Sequence, residues 1–233
     1  MAEQFDFERT WLSKLAASLE EHAGEAICQE IMAGSDVLSD QSDRQQVIAW
    51  SQLAIDRLEA LVDEQTCQQV MLGCACQYGK AGLQQAKEHY QTTADLDGAH
   101  RMLQAQFESF LRQGLKVDET IVAEVVARGW GLAGIRQGRT IVATKIPKSV
   151  YLIQYMQSAD PEQRQQYYCH CPRIRDALKI GAEISPTYCY CGGGFYKGIW
   201  EEILGEPVQV ELLSSVLAGD ETCSFALHMP TDP

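Results

Sequence analysis

Six of the nine cysteines in this 233-residue chain form three Cys-x-Cys pairs, Cys74/Cys76, Cys169/Cys171 and Cys189/Cys191, and a seventh, Cys223, lies in a strand-like run near the C-terminus. Thiols at this density point to a metal centre, a reactive thiol, or a set of buried free thiols, since cysteine also packs as a small hydrophobe. The opening residues, MAEQFDFERTW, show no positively charged stretch leading into an apolar one. The thiols are therefore read as reduced and the chain as cytoplasmic.

Zinc takes four ligands in a tetrahedron, usually from pairs with two to four residues between the cysteines. Cys-x-Cys is tighter, so local backbone decides which thiols can share an ion. If Ser185 caps the last helix, Cys189 falls near the positive end of its dipole, where a thiol pKa drops. Cys189 and Cys191 then point roughly 200° apart, at about 100° per residue, so at most one of them faces a given ion. Pro172 favours extended backbone before it, which lets Cys169 and Cys171 point to one side. The candidate metal ligands are Cys169, Cys171, Cys189 and Cys223, with zinc the expected ion and an iron–sulfur cluster the alternative. His170, flanked by two cysteines, reads as a ligand, as a base beside a thiolate, or as a plain solvent-facing histidine. Cys189, Cys171 and His170 are thus the candidate catalytic residues.

Gly192, Gly193 and Gly194 follow within the proposed helix, where each glycine costs about 1 kcal/mol against alanine. Either a ligand or neighbouring backbone approaches the helix there, or the helix starts late and these are loop residues. The functional reading makes the three glycines, with Tyr196 and Trp200 on the same helix, the ligand-binding residues. Glu201 and Glu202 read as a solvated face, and His22, His89 and His100 as surface residues.

The elements that must position these groups change character along the chain. Leu12, Leu15, Ala16 and Leu19, then Trp50, Leu53, Ala54, Leu58 and Leu61, then Leu103, Phe107, Phe110 and Leu111 are helical stripes, and Asp118 to Arg128 is a further short helix. MLGCACQYGKAG interrupts this periodicity as a loop or a broken helix start. After Trp130, β-branched residues around Gln137-Gly138 predict a hairpin. Asp160-Pro161-Glu162-Gln163 starts a helix that Pro172 stops, and Ser185-Pro186 starts another that Gly205 closes. Val208, Val210 and Leu212, a Gly219-Asp220 turn, and Cys223, Phe225 and Leu227 predict a closing hairpin. The fold class is α+β, with a helical region over 1–129 and an antiparallel sheet with packed helices over 130–233.

A net charge of −13 argues against nucleic acid and anionic membrane surfaces, and no apolar run approaches the roughly 18 to 20 residues needed to span a bilayer. The expected partner is a small molecule; a homodimer stays open.

Cys189 through Gly192-Gly193-Gly194-Phe195-Tyr196, then Gly205-Glu206-Pro207-Val208, then Gly219-Asp220-Glu221-Thr222-Cys223-Ser224-Phe225, resembles the 4-vinyl reductase domain family, which includes ligand-sensing domains of aromatic-degradation regulators. The resemblance implies a fold shared with vesicle-tethering TRAPP subunits, a ligand cavity between sheet and helices, and a structural zinc. Carried over, the zinc ligands fall on Cys189, Leu212, Ser215 and Cys223; the middle two do not replace the family's Glu and Cys, so the site either lacks the metal or is completed by Cys169, Cys171 or His170. The Gly-Asp-x-x-Cys-x-Phe ending is also similar to the 2-aminothiazoline-4-carboxylate hydrolase group. Together these readings predict a small-molecule-binding protein with a cysteine-rich zinc site beside a glycine-rich helix. The alternatives are a thiol- or metal-dependent hydrolase of a small C–N or C–S compound and an iron–sulfur or redox protein.

Overall fold

The computed structural model describes residues 5–230. Helices α1 (Phe7–His22), α2 (Glu25–Met32), α3 (Arg44–Leu61), α4 (Glu64–Gly73), α5 (Gln84–Thr93), α6 (Leu96–Ser109) and α7 (Glu119–Ala127) make up the first half. Asp6, Asp43, Asp63, Asp95 and Asp118 open α1, α3, α4, α6 and α7, each carboxylate accepting a backbone N–H of the first turn that has no partner within the helix.

Strands β1 (Ile135–Gln137) and β2 (Thr140–Thr144) form the predicted hairpin. Three helices follow, α8 (Leu152–Gln157), α9 (Pro161–Tyr168) and α10 (Pro172–Ile180). A 3-10 turn over Pro186–Cys189 then leads into α11 (Tyr190–Leu204), and β3 (Gln209–Ser214) and β4 (Ser224–His228) end the chain. The four strands make one antiparallel sheet in the order β1-β2-β4-β3, with Ile141 opposite Leu227 and Leu212 opposite Phe225. The last strand therefore occupies the middle of the sheet. The protein is α+β, helical in its first half and built on an antiparallel sheet with packed helices in its second.

A single hydrophobic core runs from Trp11 to Met229 and joins the two stretches. Helix α11 lies between them, with β3 and β4 on one side and α4 and α5 on the other. No described helix is long and apolar enough to cross a membrane.

Three stripe residues read as core face outward: Leu53 is 45% exposed, Leu61 37% and Phe110 45%. The buried face of α3 centres on Val47, Ser51, Ala54 and Leu58, which puts Leu53 on its flank, while Leu61 is the last residue of the helix, beyond the packed turns. Phe110, where α6 passes into a π-helical turn over Phe110–Gly114, packs against Phe107 with its ring at the edge of a cavity. Pro172 also does more than end a helix. The preceding helix stops at Tyr168, and Pro172 is the first residue of α10, a helix not predicted from the sequence; its fixed φ suits that position.

Candidate functional site

The glycines lie inside a helix, and two of the three are there for packing. A Cβ on Gly194 would come within 2.8 Å of the Leu72 carbonyl carbon at the end of α4, and one on Gly193 within 2.9 Å of Val210 Cγ1. Gly193 and Gly194 let α11 approach the sheet and α4 closely, so neighbouring structure fills the space predicted for a ligand. Gly192 lines the cavity described next, and a Cβ there would meet Lys145 Cδ at 3.3 Å and Phe225 Cζ at 3.0 Å. Trp200 is fully buried away from that cavity, its ring stacked with His100 at 6.4 Å and 11°.

The cavity measures about 640 Å³. Trp11 of α1, Phe107 at the end of α6, Phe110, Ile146, Phe195 and Tyr196 supply its apolar wall. Of the predicted site residues, His170, Cys171, Gly192 and Tyr196 line it; Cys169, Cys189, Cys223, Gly193, Gly194 and Trp200 do not.

The three cysteine pairs share one arrangement. The first member of each, Cys74, Cys169 or Cys189, is buried in the core, while the second, Cys76, Cys171 or Cys191, lines the cavity. Cys169 and Cys171 were expected to point to one side. Their backbone, at φ −71° ψ 134° and φ −69° ψ 122°, is close to polyproline II rather than to a strand. That helix turns once in three residues, so i and i+2 diverge. Cys171 Sγ meets Tyr188 Oη at 3.3 Å, and Cys191 donates to the Cys74 carbonyl at 3.5 Å. Burial pushes the Cys191 and Cys169 thiols up to about 12.

Behind the cavity wall, Cys189 and Cys223 interact directly and Ser215 Oγ donates to Cys189 Sγ at 3.0 Å. The expected helix-dipole activation of Cys189 does not occur. Donating a hydrogen bond to Cys223, and then burial, raise the Cys189 thiol, because both favour its protonated form. Cys223 is the acidic partner, brought down to about 7 by that hydrogen bond, with Lys145 and the Val216 N–H assisting. Ser215 thus stands where the family resemblance put a third zinc ligand. Two thiols and a hydroxyl beside the Lys145 cation are a poor zinc donor set, and no group of three or more Cys, His, Asp or Glu among the described residues converges as metal ligands do. Of the four predicted ligands, Cys189 and Cys223 touch, Cys169 is buried near them, and Cys171 faces the cavity.

Lys145, which the sequence analysis missed, sits one residue beyond β2. Its N–H donates to the Cys223 carbonyl at 2.9 Å, prolonging the β2–β4 pairing. Tyr168 Oη clamps the same place, donating to the Lys145 carbonyl at 2.8 Å and accepting from Cys223 N at 2.7 Å. Burial works against the ammonium, yet nearby Cys169, Cys223, Tyr196 and Cys191 outweigh it and raise the lysine's pKa. His170 is an exposed residue at the cavity wall, and its Nε2 donates to the Ile146 carbonyl at 2.9 Å. Desolvation of the ring by the surrounding protein, then the Lys145 charge, bring it down to about 4, so it is neutral at pH 7. With His170 on Ile146 and Cys171 on Tyr188, the two form no nucleophile–base pair.

A second cavity, of about 540 Å³, lies on the far side of Tyr78 and Phe195. Most of its charges are paired: Glu202 with Lys80 at 2.9 Å and with Lys87 at 2.6 Å, and Lys197 with Glu201; Glu21 also lines it.

A family model described as "Family of unknown function (DUF6144)" matches residues 156–231, less than half of the chain. This stretch holds Cys169, Cys171, Cys189, Cys191 and Cys223 and leaves out Lys145. Comparison with curated proteins and with solved structures gives no match.

Proposed function

We propose that this chain is a small-molecule-binding protein whose ligand occupies the cavity beside α11. The observation that carries the reading is the cavity itself. At about 640 Å³ it falls within the range of small-molecule sites, and like them it combines an aromatic wall with a few polar groups, here Lys145, His170 and the three thiols. Zinc forms no part of the proposal, given the donor set at Cys189, Ser215 and Cys223.

Amide and side-chain NMR spectra recorded with a library of bicyclic aromatic fragments test it. Binding fragments should perturb Trp11, Gly131, Gly192 and Tyr196 together. A library without a single binder, or perturbations scattered over the surface, would overturn the reading.

A further inference from the structure

The cavity has one full positive charge and no negative one. Lys145 lines it, and no Asp or Glu belongs to its wall, although the chain carries 32 acidic residues against 19 Lys and Arg. Such a chain could readily have paired this lysine, as it pairs Lys80 and Lys87 with Glu202 around the neighbouring cavity. At Lys145 the nearest charge partners are instead thiols and a tyrosine, and no carboxylate of the described residues forms an ion pair with it. Two of those thiols, Cys169 and Cys191, hold their protons at neutral pH. Cys223, near 7, is only partly ionised there and is no part of the cavity wall, so the wall itself offers the ammonium no anion.

Lys145 is half-buried, and an ammonium partly withdrawn from water beside an aromatic wall gains from a carboxylate partner. From the charge of the wall, we infer that the ligand is an organic monocarboxylate with a flat apolar body, its carboxylate paired with Lys145 and its body packed among Trp11, Phe107 and Tyr196. This rests on the ligand-binding reading above and adds the chemical class. A carboxylate fits better than a phosphate, because the cavity wall has a single cation and no arginine to form the forked pair that a dianionic phosphate favours. The place of Gly192 follows: without a side chain, it leaves room for the aliphatic stem of Lys145 to cross α11.

Isothermal titration calorimetry with 2-naphthoate and with its neutral isostere 2-naphthamide tests the inference. Wild-type protein should bind the carboxylate about tenfold more tightly or better, as a charge-assisted hydrogen bond allows. In Lys145→Met the naphthamide affinity should persist and the preference vanish, while Lys145→Arg should keep it. Equal affinities in the wild type, or a preference that survives Lys145→Met, would overturn the inference and leave the small-molecule reading standing. Failure of both probes to bind folded wild-type protein would overturn both. The wild-type comparison decides the matter even if the Met variant does not fold, and Lys145→Gln offers a second, polar replacement.

Discussion

Cys189, at the start of α11, donates its S–H in a hydrogen bond to Cys223, just ahead of β4, and so ties the glycine-rich helix to the central strand. Ser215 Oγ donates to the same Cys189 sulfur at 3.0 Å, and Val216 N–H reaches Cys223 at 3.4 Å. The cluster makes Cys223 the acidic thiol, near 7, and Cys189 the one that holds its proton. Thiolate absorbance near 240 nm should therefore rise by one group per chain with a midpoint near pH 7. That step should be missing in Cys223→Ser and displaced upward in Cys189→Ser. A wild-type protein with no thiolate forming below pH 8 would contradict this arrangement.

The same cluster bears on metal content. With Ser215 between the two thiols and Lys145 beside them, protein purified under reducing conditions should carry well below one zinc per chain, and a chelator should leave its melting temperature unchanged. Stoichiometric zinc that leaves together with several degrees of stability, and does so only when Cys189 and Cys223 are present, would refute that expectation.

The glycines of α11 divide by what surrounds them. Gly194→Ala forces a Cβ against the backbone of Leu72 and should destabilise the protein by about 3 kcal/mol, the upper part of the usual overpacking range. Gly198, exposed on the same helix with nothing within 4 Å of a Cβ, should instead gain about 1 kcal/mol as alanine through helix propensity. Denaturant titrations of the two variants should move in opposite directions.

These glycines also show what the sequence could convey. A break in helix propensity at Gly192, Gly193 and Gly194 was legible, and so was the need for something to approach there; that Leu72 and Val210 do so for two of them is a long-range fact. Helix starts at Asp118, Asp160 and Ser185 and both hairpins were legible because capping and alternation are local signals. The α10 helix was not, because Cys171 makes no side-chain cap and a proline reads equally as an end or a beginning. Lys145 carries no signal of its own in the sequence. Its direction is set by pairing with Cys223 across the sheet, which sequence spacing cannot reveal.

Glu8 makes the same point for the core. In sequence it is an ordinary first-turn acid, yet it is 1% exposed and forms an ion pair with Arg173, itself 0% exposed and stacked on Trp11 with Cζ 3.8 Å from the ring centroid. Arg44 bonds the other carboxylate oxygen at 2.7 Å. Glu8→Gln leaves buried charge uncompensated and should cost about 3–5 kcal/mol. Calorimetry should show a fall in melting temperature on the order of 10 °C for a chain of this size, and a change below about 2 °C would mean that solvent reaches Arg173.

His170 supplies a pH dependence whose sign can be worked out. Its ordinary pKa of 6.5 falls to about 4 in the folded protein, first through desolvation of the ring and then through the Lys145 charge, while its Nε2–H stays on the Ile146 carbonyl. Between those values the unfolded chain binds a proton that the folded chain refuses, so stability falls as pH drops from about 6.5 toward 4 and is unaffected by this group above that window. Lys145 and Lys148, the charged groups that act on the ring, stay cationic throughout the window and cannot produce the effect by their own titration. Carboxylates also titrate in the acid part of this range, but they are common to the wild type and to His170→Gln. The variant should therefore lose less melting temperature between pH 7 and pH 5 than the wild type does. Two parallel curves of melting temperature against pH would show that the imidazole accepts its proton in the folded state as readily as in the unfolded chain.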